Sequence, residues 1–152
     1  MADSGPVDPV PLSERLTPAV LDREAGHRTL DTLQDPATQA LFPWLEDVAP
    51  GFPDWLITTL FGGTYQRTGL SPRERQLVNL GALTALGGVD PQLAGQVVTS
   101  LRVGLAPEEV VEVFVHLAPY VGVPKALAGL RVAAAALEDT AAPSEADRSD
   151  LR

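Results

Sequence analysis

Apolar residues recur along this chain mostly at intervals of three and four, the spacing that one face of an α-helix requires. The clearest helix start is Ser71-Pro72-Arg73-Glu74, where the serine and the glutamate can each satisfy a free backbone amide. We therefore predict a helix over residues 72–86 that ends at Gly87-Gly88. No segment alternates convincingly between apolar and polar residues as a half-buried strand would, so we expect an all-α fold.

Three further helices are predicted downstream of this one. Asp90 should cap the first, which Gly104 ends, and its buried face would carry Leu93, Val97, Ser100 and Leu101. Pro107 opens the second, where apolar residues run nearly all round the helix, so it should be deeply buried until Pro119 ends it. Pro124 should start the last helix, whose inward stripe is expected to be Leu127, Leu130, Ala134 and Leu137.

Two helices are predicted upstream. One runs from Pro18 to about residue 33 on the surface, with Leu21, Ala25 and Leu30 facing inward, and the other runs from about residue 54 to 62. The segment between them, residues 35–53, contains four prolines together with Phe42 and Trp44. We expect it to be an ordered loop or a short helix packed on a neighbour.

These elements define a single domain over residues 17–139, a bundle of about six to seven helices. The segments 1–16 and 140–152 lack apolar spacing and are expected to be flexible tails. The helix after Pro107 has more apolar surface than one neighbouring helix covers, which favours a homo-oligomer. A monomer whose core takes up all of that surface is the alternative.

Composition narrows the function. A net charge of -9 repels the phosphate backbone, so nucleic acid is not an expected partner. With no cysteine and only two histidines far apart in sequence, neither thiol chemistry nor a metal site is expected. No apolar run approaches the roughly 20 residues that span a bilayer, and the N-terminus lacks signal-peptide features. We therefore expect a cytoplasmic protein without a membrane partner.

Three stretches resemble one protein family. The run FGGTYQRTGLSPRERQL at 61–77 resembles the start of the carboxymuconolactone decarboxylase domain, and GLAPEEV at 104–110 with HLAPYVGVP at 116–124 is similar to a later pattern of that family. The resemblance to this AhpD-like family covers about residues 24–138. It implies an all-α fold, assembly into trimers or hexamers, and either cofactor-free decarboxylation of a carboxylated lactone or cysteine-dependent peroxide reduction.

The resemblance to each branch of the family is incomplete. The peroxidase branch needs a Cys-x-x-Cys pair, and this chain has no cysteine. The decarboxylase branch is similar at Tyr65, Arg67 and Arg75, but it typically has a Glu and a His on the helix that here carries Gln92 and Gln96. Amides do not exchange protons near neutral pH, so ring-lactone decarboxylation by the usual residues is in doubt. Pro119, just before Tyr120, is a further departure.

Decarboxylation needs a cation for the carboxylate, a dry cavity and an acid that protonates the remaining carbon. Arg75 could bind the carboxylate, or it could form a salt bridge to a glutamate of the third predicted helix, at 108, 109 or 112. His116 could pass a proton, or it could be a hydrogen-bonded core histidine. Tyr65 and Tyr120 could each donate to an enolate oxygen, or simply pack with the hydroxyl at the surface.

Four more polar residues complete the candidate site. Gln92 and Gln96 could line the same cavity and hold a substrate carbonyl, or mark a cavity that has lost its chemistry. Asn79 lies one helical turn beyond Arg75 and could share its face. Arg67 belongs to the stretch that resembles the decarboxylases and is included as a binding candidate.

These residues lead to two hypotheses. The first is a cofactor-independent lyase or isomerase/cyclase that acts, in a biosynthetic pathway, on a small cyclic, aromatic or polyketide-derived acid or enol. Arg75, His116 and Tyr120 would be catalytic, and the substrate-binding residues would be Tyr65, Arg67, Asn79, Gln92 and Gln96. The second hypothesis is a non-catalytic oligomeric binding or scaffold protein that keeps the fold and has lost the proton-transfer residues.

Overall fold

A computed structural model describes residues 10–141, except for the side chain of Ala37. Its helices are α1 Leu12–Arg15, α2 Arg23–Leu33, α3 Pro36–Gln39, α4 Phe42–Val48, α5 Phe52–Leu56, α6 Pro72–Leu86, α7 Asp90–Arg102, α8 Pro107–Val121 and α9 Val123–Ala141. A π-helical turn, Ile57–Phe61, continues α5, and a 3-10 turn covers Thr64–Gln66. No strand occurs within this range, so the all-α prediction is confirmed. Most of each predicted tail lies outside the described residues.

The helices enclose two hydrophobic clusters. The larger lies between α6, α7, α8 and α9, and its fully buried members include Leu80, Val97 and Phe114. The smaller joins α2 to the π-helical turn through residues such as Leu30 and Phe61. Val103, just after α7, packs against both clusters. Within the described chain, no helix is long and apolar enough to cross a bilayer.

Helix α6 forms as predicted. The Ser71 hydroxyl accepts a bond from the Glu74 backbone amide at 3.2 Å, and the Glu74 carboxylate accepts one from the Ser71 amide at 2.6 Å. The hydrogen bonds with Ser71 lower the pKa of Glu74 below its ordinary value, and the bond to the Ser71 backbone amide has the larger effect. Because both free amides are satisfied locally, the helix start can be recognised without knowledge of the tertiary structure.

Two predicted helix starts are wrong. The upstream helix begins at Arg23 rather than Pro18, because the Asp22 carboxylate accepts a bond from the Ala25 amide and caps the helix there. Leu21 therefore lies outside the helix and is exposed rather than inward-facing. Asp90 does not cap α7: the helix begins one residue earlier than expected, with Val89 at the cap, and Asp90 occupies the first turn.

Two predictions about α8 are also wrong. The helix continues through Pro119 to Val121 and ends at Gly122, which adopts a φ of 89°. A proline this close to the C-terminus removes one hydrogen bond but leaves the final turn intact. Nor is α8 deeply buried within this chain, because only Val110 and Phe114 are buried while Val111 and Val115 remain exposed.

The inward stripe of α9 is shifted from the predicted one. Leu127 is exposed, and the buried positions are instead Ala126, Gly129, Ala133 and Ala136. A Cβ atom on Gly129 would lie 2.7 Å from the Phe114 ring. The small residues therefore let α9 approach α8 closely. Leu130 and Leu137 are partly buried against the larger cluster as predicted, whereas Leu127 and Ala134 are exposed.

A second close approach joins the N-terminal helices. The Gly62 carbonyl accepts a hydrogen bond from the Asp22 amide at 2.9 Å. A Cβ atom on Gly62 would lie 2.2 Å from the carbonyl oxygen of Asp22 and 2.7 Å from that of Thr58. Only glycine fits here, and the contact fixes the end of the π-helical turn against the start of α2.

Gly62→Ala should destabilise the fold by about 1–3 kcal/mol, because two backbone carbonyls would have to move. Gly69→Ala is the matched control, since a Cβ atom there meets nothing within 4 Å, and it should change stability by less than about 1 kcal/mol. Urea unfolding followed by circular dichroism at one protein concentration measures both values. Equal effects of the two substitutions would contradict the close approach.

Candidate functional site

A chain of hydrogen-bonded polar side chains lies where the two hydrophobic clusters meet. Tyr65, in the 3-10 turn, packs against the smaller cluster. Its hydroxyl oxygen accepts hydrogen bonds from Gln76 Nε2 at 3.2 Å and from Asn79 Nδ2 at 2.9 Å. Asn79 Nδ2 also donates to Gln96 Oε1 at 3.3 Å. The chain of bonds therefore connects the 3-10 turn to α6 and α7.

Gln76 is fully buried, with 0% of its surface exposed, and its Oε1 atom has no hydrogen-bond partner within the described chain. Exchanging the oxygen and nitrogen of this amide would let Tyr65 donate to it, but the nitrogen would then be unpaired instead. In either orientation one buried polar atom is unsatisfied. Such groups are costly and are rare in proteins unless water, a ligand or function accounts for them.

Arg75 supports Tyr65 rather than pairing with a carboxylate. Its guanidinium lies 5.5 Å from the centre of the Tyr65 ring and donates to the Arg67 carbonyl at 2.7 Å. Among residues 10–141 it forms no ion pair. The salt bridge considered above is made by the neighbouring Arg73, whose hydrogen bond to Glu109, together with the bond from the Ala106 amide, lowers the pKa of that carboxyl.

A cavity of about 310 Å³ lies beside this polar chain, and we call it the amide cavity. Both Gln92 and Gln96 of α7 line it, as the sequence suggested. Because Gln96 turns its oxygen towards Asn79, its NH2 group remains available to a ligand. The other lining residues are Leu30, Gln34, Thr38, Leu41, Phe42, Leu56, Leu60, Phe61, Pro91 and Gly95.

His116 and Tyr120 lie elsewhere. Both are exposed, and their rings are 5.3 Å apart. His116 lines an open groove of about 440 Å³ between α6 and α8, the α6–α8 groove, with Leu77 and Gly81. Positions 77 and 79 differ by about 200° around a helix, so this groove and the Tyr65 chain lie on opposite faces of α6. His116 is therefore not the buried core histidine considered as its alternative role.

The structure brings together most of the proposed site residues. Direct contacts link Tyr65, Arg75, Asn79 and Gln96. The Arg67 carbonyl accepts a bond from Arg75, and Gln92 lines the amide cavity beside Gln96. Sequence reasoning missed Gln76. Its position was a usable signal, because it lies four residues before the buried Leu80 and eight before the buried Thr84, on the core face of α6.

Two comparisons with known proteins bear on this site. Residues 50–135, more than half of the chain, match the profile of the carboxymuconolactone decarboxylase family. The chain is also 30% identical over 90 residues to an uncharacterized 15.0 kDa protein encoded in the nqo9-nqo10 intergenic region of Paracoccus denitrificans. That alignment covers 59% of this chain and 67% of the relative. Across residues 10–141 there is no cluster of three or more His, Cys, Asp or Glu side chains able to hold a metal.

Gln76→Leu should raise the free energy of unfolding by about 1 kcal/mol, because an apolar side chain replaces a buried amide with an unpaired atom. Urea unfolding of the variant and the unchanged protein, at matched concentration, measures the difference. Gln96→Leu is the control, since Gln96 is only half-buried and keeps its NH2 group open to the cavity; it should not stabilise. A loss of stability in Gln76→Leu would show that the amide is there for the fold.

Proposed function

We propose that this chain, which belongs to the carboxymuconolactone decarboxylase family, is a cofactor-independent lyase or isomerase/cyclase. Its substrate would be a small cyclic, aromatic or polyketide-derived acid or enol. The observation that carries the proposal is the Tyr65 hydroxyl, whose oxygen accepts bonds from two amide groups at once. That geometry fixes the position of the phenol and leaves its hydrogen available to a bound molecule.

A phenol can accept two hydrogen bonds and donate one. Its oxygen has two lone pairs, and Gln76 and Asn79 occupy both, so the hydroxyl hydrogen points away from them. The hydrogen is thus free for a substrate oxygen or carbon. If the proton leaves, the two N–H donors and the Arg75 guanidinium stabilise the charge that remains on the tyrosine oxygen.

Tyr65 lines a separate groove of about 320 Å³, and Asn79 bonds it to Gln96 of the amide cavity. We propose that the amide cavity supplies the second half of the site. The NH2 group of Gln96, held by its bond to Asn79, can donate to a carbonyl oxygen that becomes negative as an enol or enolate forms. Gln92 lies one helical turn earlier on α7 and lines the same cavity. Neither amide exchanges protons, so Tyr65 is the residue of this group that would transfer one.

Tyr65→Phe should lower the rate at which the protein enolises a ring ketone by about 10²–10⁴-fold, which is the range for loss of a general acid. β-Tetralone, a small enolisable ring ketone, is a suitable probe, because exchange of its α-hydrogens for deuterium in D2O can be followed by proton NMR. The variant keeps the ring that contacts Phe61 and Arg75, so it should remain folded. Tyr120→Phe is the matched control on the surface and should have no effect.

Three results would contradict this proposal in different ways. Equal exchange rates in Tyr65→Phe and the unchanged protein would remove Tyr65 from the chemistry. A large loss in His116→Ala or Tyr120→Phe alone would move the reaction to the α6–α8 groove. Binding of β-tetralone without any exchange above the buffer rate would instead favour the non-catalytic binding or scaffold protein.

We also propose that the protein is a homo-oligomer, either a trimer or a hexamer. Support comes from apolar side chains left uncovered within one chain on α8 and α9, with Val115 50% exposed and Leu127 45% exposed. Uncovered apolar surface of this kind is typical of protein interfaces. Another copy of the chain would cover it.

Val115→Glu should therefore dissociate the assembly, because a carboxylate would be buried without a partner. Light scattering coupled to size-exclusion chromatography measures the mass, with Val48→Glu as a control at an exposed valine on α4. The expected result is a lower mass for Val115→Glu alone. If the unchanged protein has the mass of a monomer, the proposed oligomer is wrong.

A further inference from the structure

We infer, on the basis of the proposed function, that the amide cavity takes an uncharged cyclic carbonyl compound and rejects carboxylates. The cavity, of about 310 Å³, is partly open to solvent and is lined mainly by hydrocarbon from α2, α4, α5 and the π-helical turn. Its polar side chains are Gln34, Thr38, Gln92 and Gln96, and all four are neutral. Among the described residues that line it, none is charged.

A carboxylate in this cavity would lack a counter-ion. Arg75 stacks on Tyr65 and does not line the cavity, and Arg102 donates to the Gln34 carbonyl at 2.9 Å without lining it either. Removing an anion from water into such surroundings is strongly unfavourable unless a cation pairs with it. A neutral ring that carries a carbonyl or enol oxygen avoids that penalty.

Two acidic residues line a neighbouring groove. Asp35 and Asp90 line an adjoining groove that shares Pro91 and Gly95 with the amide cavity. The N-terminus of α7 would by itself favour an anion, but Asp90 occupies its first turn and opposes that field. These two carboxylates would repel a bound anion, and Arg102, whose guanidinium is held by the Gln34 carbonyl, does not line the cavity to pair with one.

The polar groups of the cavity match a carbonyl oxygen. Gln96 lines the cavity, and its oxygen is occupied by Asn79, so the group that it can offer a ligand is its NH2 donor rather than its acceptor oxygen. A ring carbonyl can accept that bond while its hydrocarbon packs against Phe42, Leu56 and Phe61. Among the reactions proposed above, isomerisation or closure of a neutral enol or ketone fits this cavity, and release of carbon dioxide from a carboxylate does not.

Benzamide and benzoate form a matched pair of probes, because they have nearly the same shape and differ in charge. Ligand-detected NMR on the full chain at millimolar probe concentration should give a Kd for benzamide at least about tenfold lower than that for benzoate. Gln96→Lys places a cation at the cavity wall and should reverse the preference. Ala82→Lys adds the same charge at an exposed position of α6 and should leave the preference unchanged.

Benzoate binding as tight as benzamide in the unchanged protein would overturn the inference, as would failure of both probes to bind. An unchanged preference in Gln96→Lys would also overturn it, because the selectivity would then arise elsewhere. The proposed function fails separately. Benzamide could be preferred, and the preference could reverse in Gln96→Lys, while Tyr65→Phe exchanges the β-tetralone hydrogens at the normal rate. In that case the cavity selects neutral ligands, and the proposed proton transfer by Tyr65 is wrong.

Discussion

Polar groups that are buried or partly buried beside hydrophobic clusters need hydrogen-bond partners, and in this protein the Tyr65 hydroxyl joins several such groups. It receives bonds from Gln76 and Asn79 of α6, and Asn79 continues the chain to Gln96 of α7. Each of these groups would be costly to bury alone. The bonds therefore determine how the 3-10 turn is positioned against α6 and α7, and with it one wall of the site.

Among the residues that the structure describes, the same bonds leave two amides with capacity to spare. One atom of the buried Gln76 amide is unpaired, and Gln96, whose oxygen is bonded to Asn79, lines the amide cavity. A protein selected for stability alone would do better with apolar residues at such positions. These two groups, rather than His116, distinguish this region as a place for a ligand, since His116 and Tyr120 are exposed on the other side of α6.

Local signals allowed the first half of α6 and most of the site to be predicted. The capping box at Ser71 and Glu74 depends on neighbouring residues only, and Arg75 and Asn79 share a face because they are one turn apart. The buried face of α9 could not be predicted from neighbouring residues in the same way. Its face is chosen by how closely Gly129 lets Phe114 approach, and that is a tertiary contact.

Arg75 and His116 are predicted to share a site because decarboxylation needs both a cation and a proton donor, yet residue chemistry does not say which face of α6 each side chain meets. Gln76 was passed over because a single amide among leucines looks like a surface residue until the burial of Leu80 and Thr84 shows which face is inside. In both cases the missing information was helix orientation. Residue type alone could not supply it.

The central claim is that the Gln96 amide meets a ligand while Asn79 holds its oxygen. Side-chain NH2 resonances of 15N-labelled glutamine, recorded during titration with β-tetralone, test this directly. The account predicts that the Gln96 resonances, identified by their loss in Gln96→Leu, shift with probe concentration. Gln96 resonances that stay unmoved while β-tetralone binds to the protein would contradict it.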